Sequence, residues 1–171
     1  QTLVKSVVGK TGQEFFDKIV VSMNEWLGAD CAFVGQITNE DVKALSMQID
    51  GKIIHDFSYT LSGEPTPCGN VVESGFVIYS EGVCRLFPND KPLLEMKAEG
   101  YVGTPLRNKD GKAVGLLWAV SCHKLNLPLR AVEVMDILAA KASAEIECKE
   151  IKEYLQNSEE ALHIANEEWE R

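Results

Sequence analysis

The sequence predicts an α+β domain in which helices flank an antiparallel sheet of five or six strands, and three features carry that prediction. An amphipathic helix opens the patterned part of the chain. Three segments of strand character follow it, and a second hairpin returns beyond a centre rich in proline and glycine. A long stretch of helical period, free of Gly and Pro, closes the chain. Sequential antiparallel strands between helices pack as layers around one core.

Residues 1–10 carry little pattern and read as a linker or a frayed helix end. Thr11 and Glu14 stand at the spacing of a capping box, which marks a helix start. Phe15, Phe16, Ile19, Val20, Met23, Trp26 and Leu27 then recur at helical spacing as one apolar stripe. Gly28 ends that helix, because it accepts left-handed geometry cheaply. Ala29–Thr38 and Val42–Ile49 read as strands, Asp50-Gly51 as a hairpin turn, and Lys52–Thr60 as a third strand.

Residues 61–99 are punctuated by Gly63, Pro65, Pro67, Gly69, Gly75, Gly82, Pro88 and Pro92. A long irregular stretch inside a domain is usually functional or holds short elements of its own. A short helix is expected from Asn70 to Glu73. Another is expected to be capped by Asn89 or Asp90 and to run to about Lys97, with Pro92 tolerated in its first turn. Gly100–Asn108 and Ala113–His123 form the second hairpin around Lys109-Asp110-Gly111.

Leu129–Glu170 reads as one helix. Its first half is apolar nearly all round, so it needs cover on two sides, from the sheet and from a further helix. Its second half changes to a heptad seam of Cys148, Ile151, Leu155, Ser158, Leu162, Ala165 and Trp169, with Cys148 and Ser158 imperfect. The seam predicts a parallel homodimer through this helix.

Composition narrows the function. The chain has 171 residues, enough for one ordinary domain. With 45% hydrophobic and 25% charged residues it is not a disordered chain. A net charge of −9 opposes binding to nucleic acid or to an anionic membrane, both of which need a basic surface. No apolar run reaches the roughly 18 residues of a membrane span, and no secretory signal opens the chain. Residue 1 is Gln, so the chain reads as part of something longer. Cys31, Cys68, Cys84, Cys122 and Cys148 are scattered without metal-ligand spacing, which suits free thiols in a reducing, cytoplasmic setting.

Several central segments are distinctive. Phe57-Ser58-Tyr59-Thr60-Leu61-Ser62-Gly63 leads into Thr66-Pro67-Cys68 and then Asn70-Val71-Val72-Glu73-Ser74-Gly75. Leu86-Phe87-Pro88-Asn89-Asp90, Tyr101-Val102-Gly103-Thr104-Pro105-Leu106 and Asp110-Gly111-Lys112-Ala113-Val114-Gly115-Leu116-Leu117 follow. Over about residues 11–150 this series resembles the GAF domains of bacterial sensor histidine kinases and related signalling proteins. The resemblance implies a GAF-like fold, with a central antiparallel sheet, N- and C-terminal helices packed on one face, and a ligand pocket on the other. It divides the chain into a linker at 1–10, a sensory domain at 11–147 and a coiled-coil signalling helix at 148–171. Asn166–Arg171 resembles the lead-in to a following PAS domain, which places a PAS or kinase output domain downstream.

The candidate ligand-binding residues are Tyr59, Cys68, Val71, Phe76, Tyr79, Tyr101 and Trp118, on or flanking the central segment. Against each stands ordinary packing, the usual role of buried aromatic residues and free Cys. Cys68 has no Lys, Arg or His near it in sequence to depress its pKa. Arg85 and Arg107 are candidates for an anionic ligand group, with surface ion pairs as the alternative. Cys122-His123 falls at a strand end rather than in the central region where bilin-binding GAF domains carry their attachment site. His55 and His123 are isolated, which does not favour haem, and the cyclic-nucleotide and phosphate-loop signatures are missing. No metal site, resident cofactor or catalytic residue is expected.

The function these features favour is a regulatory, ligand-sensing domain, in which an unidentified small molecule biases the dimeric C-terminal helix. One rival is a GAF-fold thiol enzyme of the free methionine sulfoxide reductase type. Another is a dimerisation spacer with no ligand.

Overall fold

The computed structural model describes residues 2–61 and 63–170. Gln1, Ser62 and Arg171 lie outside the described residues, in the expected linker, central segment and C-terminal lead-in respectively. The chain runs as α1 (Thr2–Val7), α2 (Gly12–Leu27), β1 (Cys31–Thr38), β2 (Asp41–Ile49), β3 (Lys52–Ile54) and β4 (Ser58–Thr60). Then come α3 (Pro67–Ser74), β5 (Val77–Tyr79), α4 (Val83–Leu86) and α5 (Lys91–Glu95). β6 (Gly100–Arg107), β7 (Ala113–Ser121) and α6 (Ala131–Glu170) complete it.

The sheet is antiparallel throughout, in the order β3-β2-β1-β7-β6-β5, and β4 also pairs with β2. β3 and β4 lie end to end along the same edge of β2, in one continuous register broken at His55–Phe57. The expected third strand is therefore one rank in two pieces. The sixth rank, β5, is only three residues long and too short for period to reveal. Hairpin turns fall where the sequence puts them, with Asp50 and Gly51 both at positive φ.

Side chains alternate across the sheet, and the alternation separates two cores. On one face Ala32, Val34, Val102, Leu117 and Ala119 pack against Phe15, Ile19 and Met23 of α2 and Met135, Leu138 and Ala142 of α6. On the other, Phe33, Val42, Tyr101, Leu116, Trp118 and Val120 meet Cys68, Val71, Val83, Phe87 and Leu93 of the central segment. One strand, β7, thus faces α6 with Leu117 and Ala119 and the central segment with Trp118 and Val120.

The N-terminal expectations need two corrections. The described residues of the expected linker or frayed helix end hold a packed helix: α1 buries Leu3 and Val7 in the helix-side core, and Ser6 Oγ meets Ser22 Oγ of α2 at 2.9 Å. Thr11 does not close a capping box. Its side chain makes no cap bond, and Glu14 turns to Lys10 at 2.8 Å. The Gly12 amide instead donates to Glu145 of α6, 2.9 Å away.

At 40 residues α6 is about 60 Å long, far beyond the sheet. Cover for its first half comes from the sheet and from α1 and α2, while Val132 and Ile137 stay exposed. Beyond Ile146 no residue of α6 is buried. The heptad positions Ile151, Leu155, Leu162 and Trp169 are exposed, Trp169 at 90%. Among the described residues no helix is long and apolar enough to cross a membrane.

Candidate ligand-binding site

A cavity of about 340 Å³ lies between the sheet face opposite α6 and the central segment. Its floor is Phe57, Tyr59 and Thr60 of the broken edge rank, Tyr101 of β6, and Trp118 and Val120 of β7. Its roof is Glu64, Thr66, Pro67 and Cys68 on one side and Asn89–Leu93 with Met96 on the other.

Local sequence fixes both halves of the roof. Thr66 caps α3, its Oγ1 accepting the Gly69 amide at 3.0 Å, and Pro67 occupies the first turn, where its missing N–H costs nothing. The helix begins at Pro67, three residues before the expected start, because Thr66 supplies the cap. Asp90 caps α5 by accepting the Leu93 amide at 3.3 Å, with Pro92 in the first turn as expected. That helix stops at Glu95, and Lys97 follows at positive φ.

The aromatic floor is tightly organised. Phe33 of β1 stacks on Trp118 with centroids 4.7 Å apart and planes 12° from parallel. Tyr101 lies on the far side of Trp118, at 6.1 Å and 28°. Trp118 Nε1 donates to the Tyr59 hydroxyl at 3.0 Å, and Tyr59 donates to Cys68 Sγ at 3.3 Å. The thiol also meets the Tyr101 hydroxyl at 3.2 Å. Cys68 is thus pinned between two phenols.

Electrostatics make this cluster inert at neutral pH. Burial pushes the Cys68 thiol up to about 11, and the bonds from Tyr101 and Tyr59 only partly offset it. Burial likewise holds Tyr59 and Tyr101 well above the ordinary phenol range, each raised further by Cys68. The groups remain neutral donors and acceptors. A nucleophilic thiolate, which the methionine sulfoxide reductase reading requires, is disfavoured at Cys68. Cys31 is pushed higher still, to about 12, by burial and by the charges of Asp50 and Asp30.

Of the seven candidate residues, the structure places Tyr59, Cys68, Tyr101 and Trp118 on the cavity wall and three elsewhere. Val71, one helical turn beyond Cys68, is buried against the β6 backbone at Gly103. Phe76 packs against the helix-side core, across the sheet from the cavity. Tyr79 sits behind the wall, edge-on to Phe87 at 5.3 Å, its hydroxyl accepting from Asn70 Nδ2 at 2.8 Å.

Neither arginine candidate lines the cavity. Arg107 binds the Gly111 carbonyl at 2.9 Å within the β6–β7 hairpin, and Arg85 is exposed on α4. His55 pairs with Asp17 at 2.7 Å on the helix side, and exposed Cys122 donates to the Met96 carbonyl at 3.2 Å. Among the described residues no group of three or more His, Cys, Asp or Glu is placed to hold a metal.

Sequence reasoning missed Phe57, Thr66, Asp90, Leu93 and Met96 as wall residues. Phe57 was within reach, since it stands two residues before Tyr59 and period two puts both on one face. Asp90 was legible only as a helix cap.

Comparisons agree with this architecture. Residues 11–146 match the family model described as the GAF domain. Among solved structures, the GAF domain from an Acinetobacter phosphoenolpyruvate-protein phosphotransferase aligns with a TM-score of 0.68 at 12% identity, covering 90% of this chain and 93% of that one. The chromophore-binding domain of a Stigmatella aurantiaca bacteriophytochrome aligns with a TM-score of 0.65 at 14% identity. That match covers 85% of this chain, which spans only 58% of the bacteriophytochrome chain. The corresponding domain of an unusual bacteriophytochrome from R. palustris aligns with a TM-score of 0.66 at 10% identity, covering 88% of this chain and 61% of that one. At these identities the likeness is one of fold. No curated protein matches the chain significantly.

Proposed function

The chain belongs to the GAF domain family, and from that premise we propose that it is a regulatory, small-molecule-sensing module of a bacterial signal-transduction protein. The observation that carries this reading is the 340 Å³ cavity walled by Tyr59, Cys68, Tyr101 and Trp118. Its volume falls at the lower end of the roughly 300–1,000 Å³ typical of small-molecule sites, and its walls combine apolar surface with a few placed polar groups. GAF domains are generally sensory rather than catalytic, and the protonated Cys68 thiol supports a binding role here.

In this reading a ligand entering the cavity orders residues 64–68 and 89–96 over the aromatic floor. Trp118 and Val120 take the contact, and their neighbours Leu117 and Ala119 press on the other face, where α6 lies. Two copies join along the exposed seam of α6, and the helix pair carries the change to an output domain, of kinase or PAS type, in the cytoplasm. The ligand biases α6 only through its difference in affinity for two packings.

The test combines two readouts. Small molecules are screened for those that raise the Tm of the wild type but not of Met96→Trp, whose indole fills the cavity. A spin label at Glu160→Cys, off the seam and in a background where exposed Cys122 and Cys148 are replaced by Ser, then reports the distance between the two α6 helices. Stabilising compounds are expected to change that distance. A bound compound that leaves it unchanged contradicts the relay.

A further inference from the structure

The chemistry of the cavity wall restricts what it can hold, if the binding role proposed above is right. Four aromatic side chains, Phe57, Tyr59, Tyr101 and Trp118, line the floor. Flat rings stack on such surfaces, and cations are attracted to their faces. The deep polar groups are spoken for: the Trp118 N–H meets Tyr59, and the Tyr59 hydroxyl meets Cys68. The inner end of a ligand therefore meets apolar surface.

Charge is confined to the rim, and it is mainly negative. Glu64 and Asp90 line the roof, with Lys91 the single basic lining residue among the described residues. Lys91 is exposed and makes no ion pair among the described residues. Glu64 Oε2 is held toward the cavity roof by Asn89 Nδ2 at 3.1 Å. Asp90 is half-buried, and among the described residues its carboxylate takes one hydrogen bond, from the Leu93 amide. Burial raises its carboxyl above the ordinary range and only that amide opposes the rise. A ligand cation beside Asp90 would give it a charged partner, whereas a ligand carboxylate would face two carboxylates against the one Lys91 ammonium.

We infer that the cavity takes a small arylalkylamine, with one or two aromatic rings against Trp118 and Tyr101 and a cationic nitrogen at the Glu64–Asp90 rim. The 340 Å³ volume suits a ligand of that size rather than an extended cofactor.

Titration calorimetry of the intact chain with tryptamine, indole and indole-3-acetate tests this, because the three probes share a ring and differ in charge. Tryptamine is expected to bind tightest, at least about tenfold tighter than indole-3-acetate, as attraction at the rim gives way to repulsion. Asp90→Asn keeps a good helix cap, so α5 stays formed. In that variant tryptamine should fall to within about threefold of indole. Indole-3-acetate binding as tightly as tryptamine overturns the inference. So does a tryptamine preference that survives Asp90→Asn combined with Glu64→Gln. Failure of all three probes to bind overturns it as well. In that last case, a different compound that stabilises the wild type but not Met96→Trp leaves the sensing role standing and removes only the ligand class.

Discussion

Glu145, near the point where α6 leaves the domain, accepts the backbone amide of Gly12 at the start of α2, 2.9 Å away. Its other oxygen takes the Lys141 ammonium at 2.8 Å. One buried carboxylate thus ties the C-terminal helix to the first turn of the N-terminal one, where the helix dipole favours negative charge.

Burial pushes the Glu145 carboxyl up, but the bonds from Lys141 and Gly12 and the Lys141 charge outweigh it and leave the group below the ordinary range. A depressed folded-state pKa gives stability that is present above the unfolded value and lost as pH falls through the folded one. Glu145→Gln should lower stability by about 1–2 kcal/mol at neutral pH. Thermal melts from pH 7 to 3 check this: the gap in Tm between wild type and variant should close below about pH 4. A gap constant across that range contradicts the charged tie.

The five thiols should differ sharply in reactivity. Cys68 and Cys31 are buried and held at about 11 and about 12. Cys122 and Cys148 are exposed. Iodoacetamide at pH 7.5 on the folded chain should label Cys122 and Cys148, and reach Cys31 and Cys68 only in denaturant. Peptide mapping reads the result. Rapid native labelling of Cys68 contradicts the pinned thiol.

A Cβ on Gly35 would come within 2.3 Å of the Phe33 ring and 2.8 Å of the Lys43 carbonyl oxygen. The ring could move, but the strand backbone cannot. Gly35→Ala should therefore cost about 1–3 kcal/mol. Because Phe33 stacks on Trp118, the same change should also disturb the cavity floor. Urea denaturation measures the first effect and near-UV circular dichroism the second. An unchanged aromatic spectrum contradicts the coupling.

Beyond Ile146 no residue of α6 is buried, yet Ile151, Leu155, Ser158 and Leu162 keep a 3-4 spacing. Sedimentation should find the wild type dimeric and Leu155→Glu with Leu162→Glu monomeric, with the domain still folded by circular dichroism. A monomeric wild type at tens of micromolar contradicts the seam.

Elements with strong period were legible in the sequence: the apolar stripe of α2, the two hairpins and the continuity of α6. What escaped was either short or long-range. β5 and α4 are too brief for a period to register. The Thr11–Glu14 spacing misled because Glu14 turns to Lys10, and the helix start is tied instead through the Gly12 amide to Glu145 from the far end of the domain, a contact that local pattern does not encode. At the site, Tyr59, Cys68, Tyr101 and Trp118 were recognisable as aromatic and thiol groups around an irregular centre. Phe76 was not placed correctly, because it lies just before a three-residue strand whose facing the sequence did not specify.

The most direct test of the account is native mass spectrometry of the gently purified chain beside Met96→Trp. The wild type is expected to carry a small molecule released on collisional activation, and the filled variant none. A wild type at its bare chain mass, still bare after incubation with a small-molecule library, contradicts it.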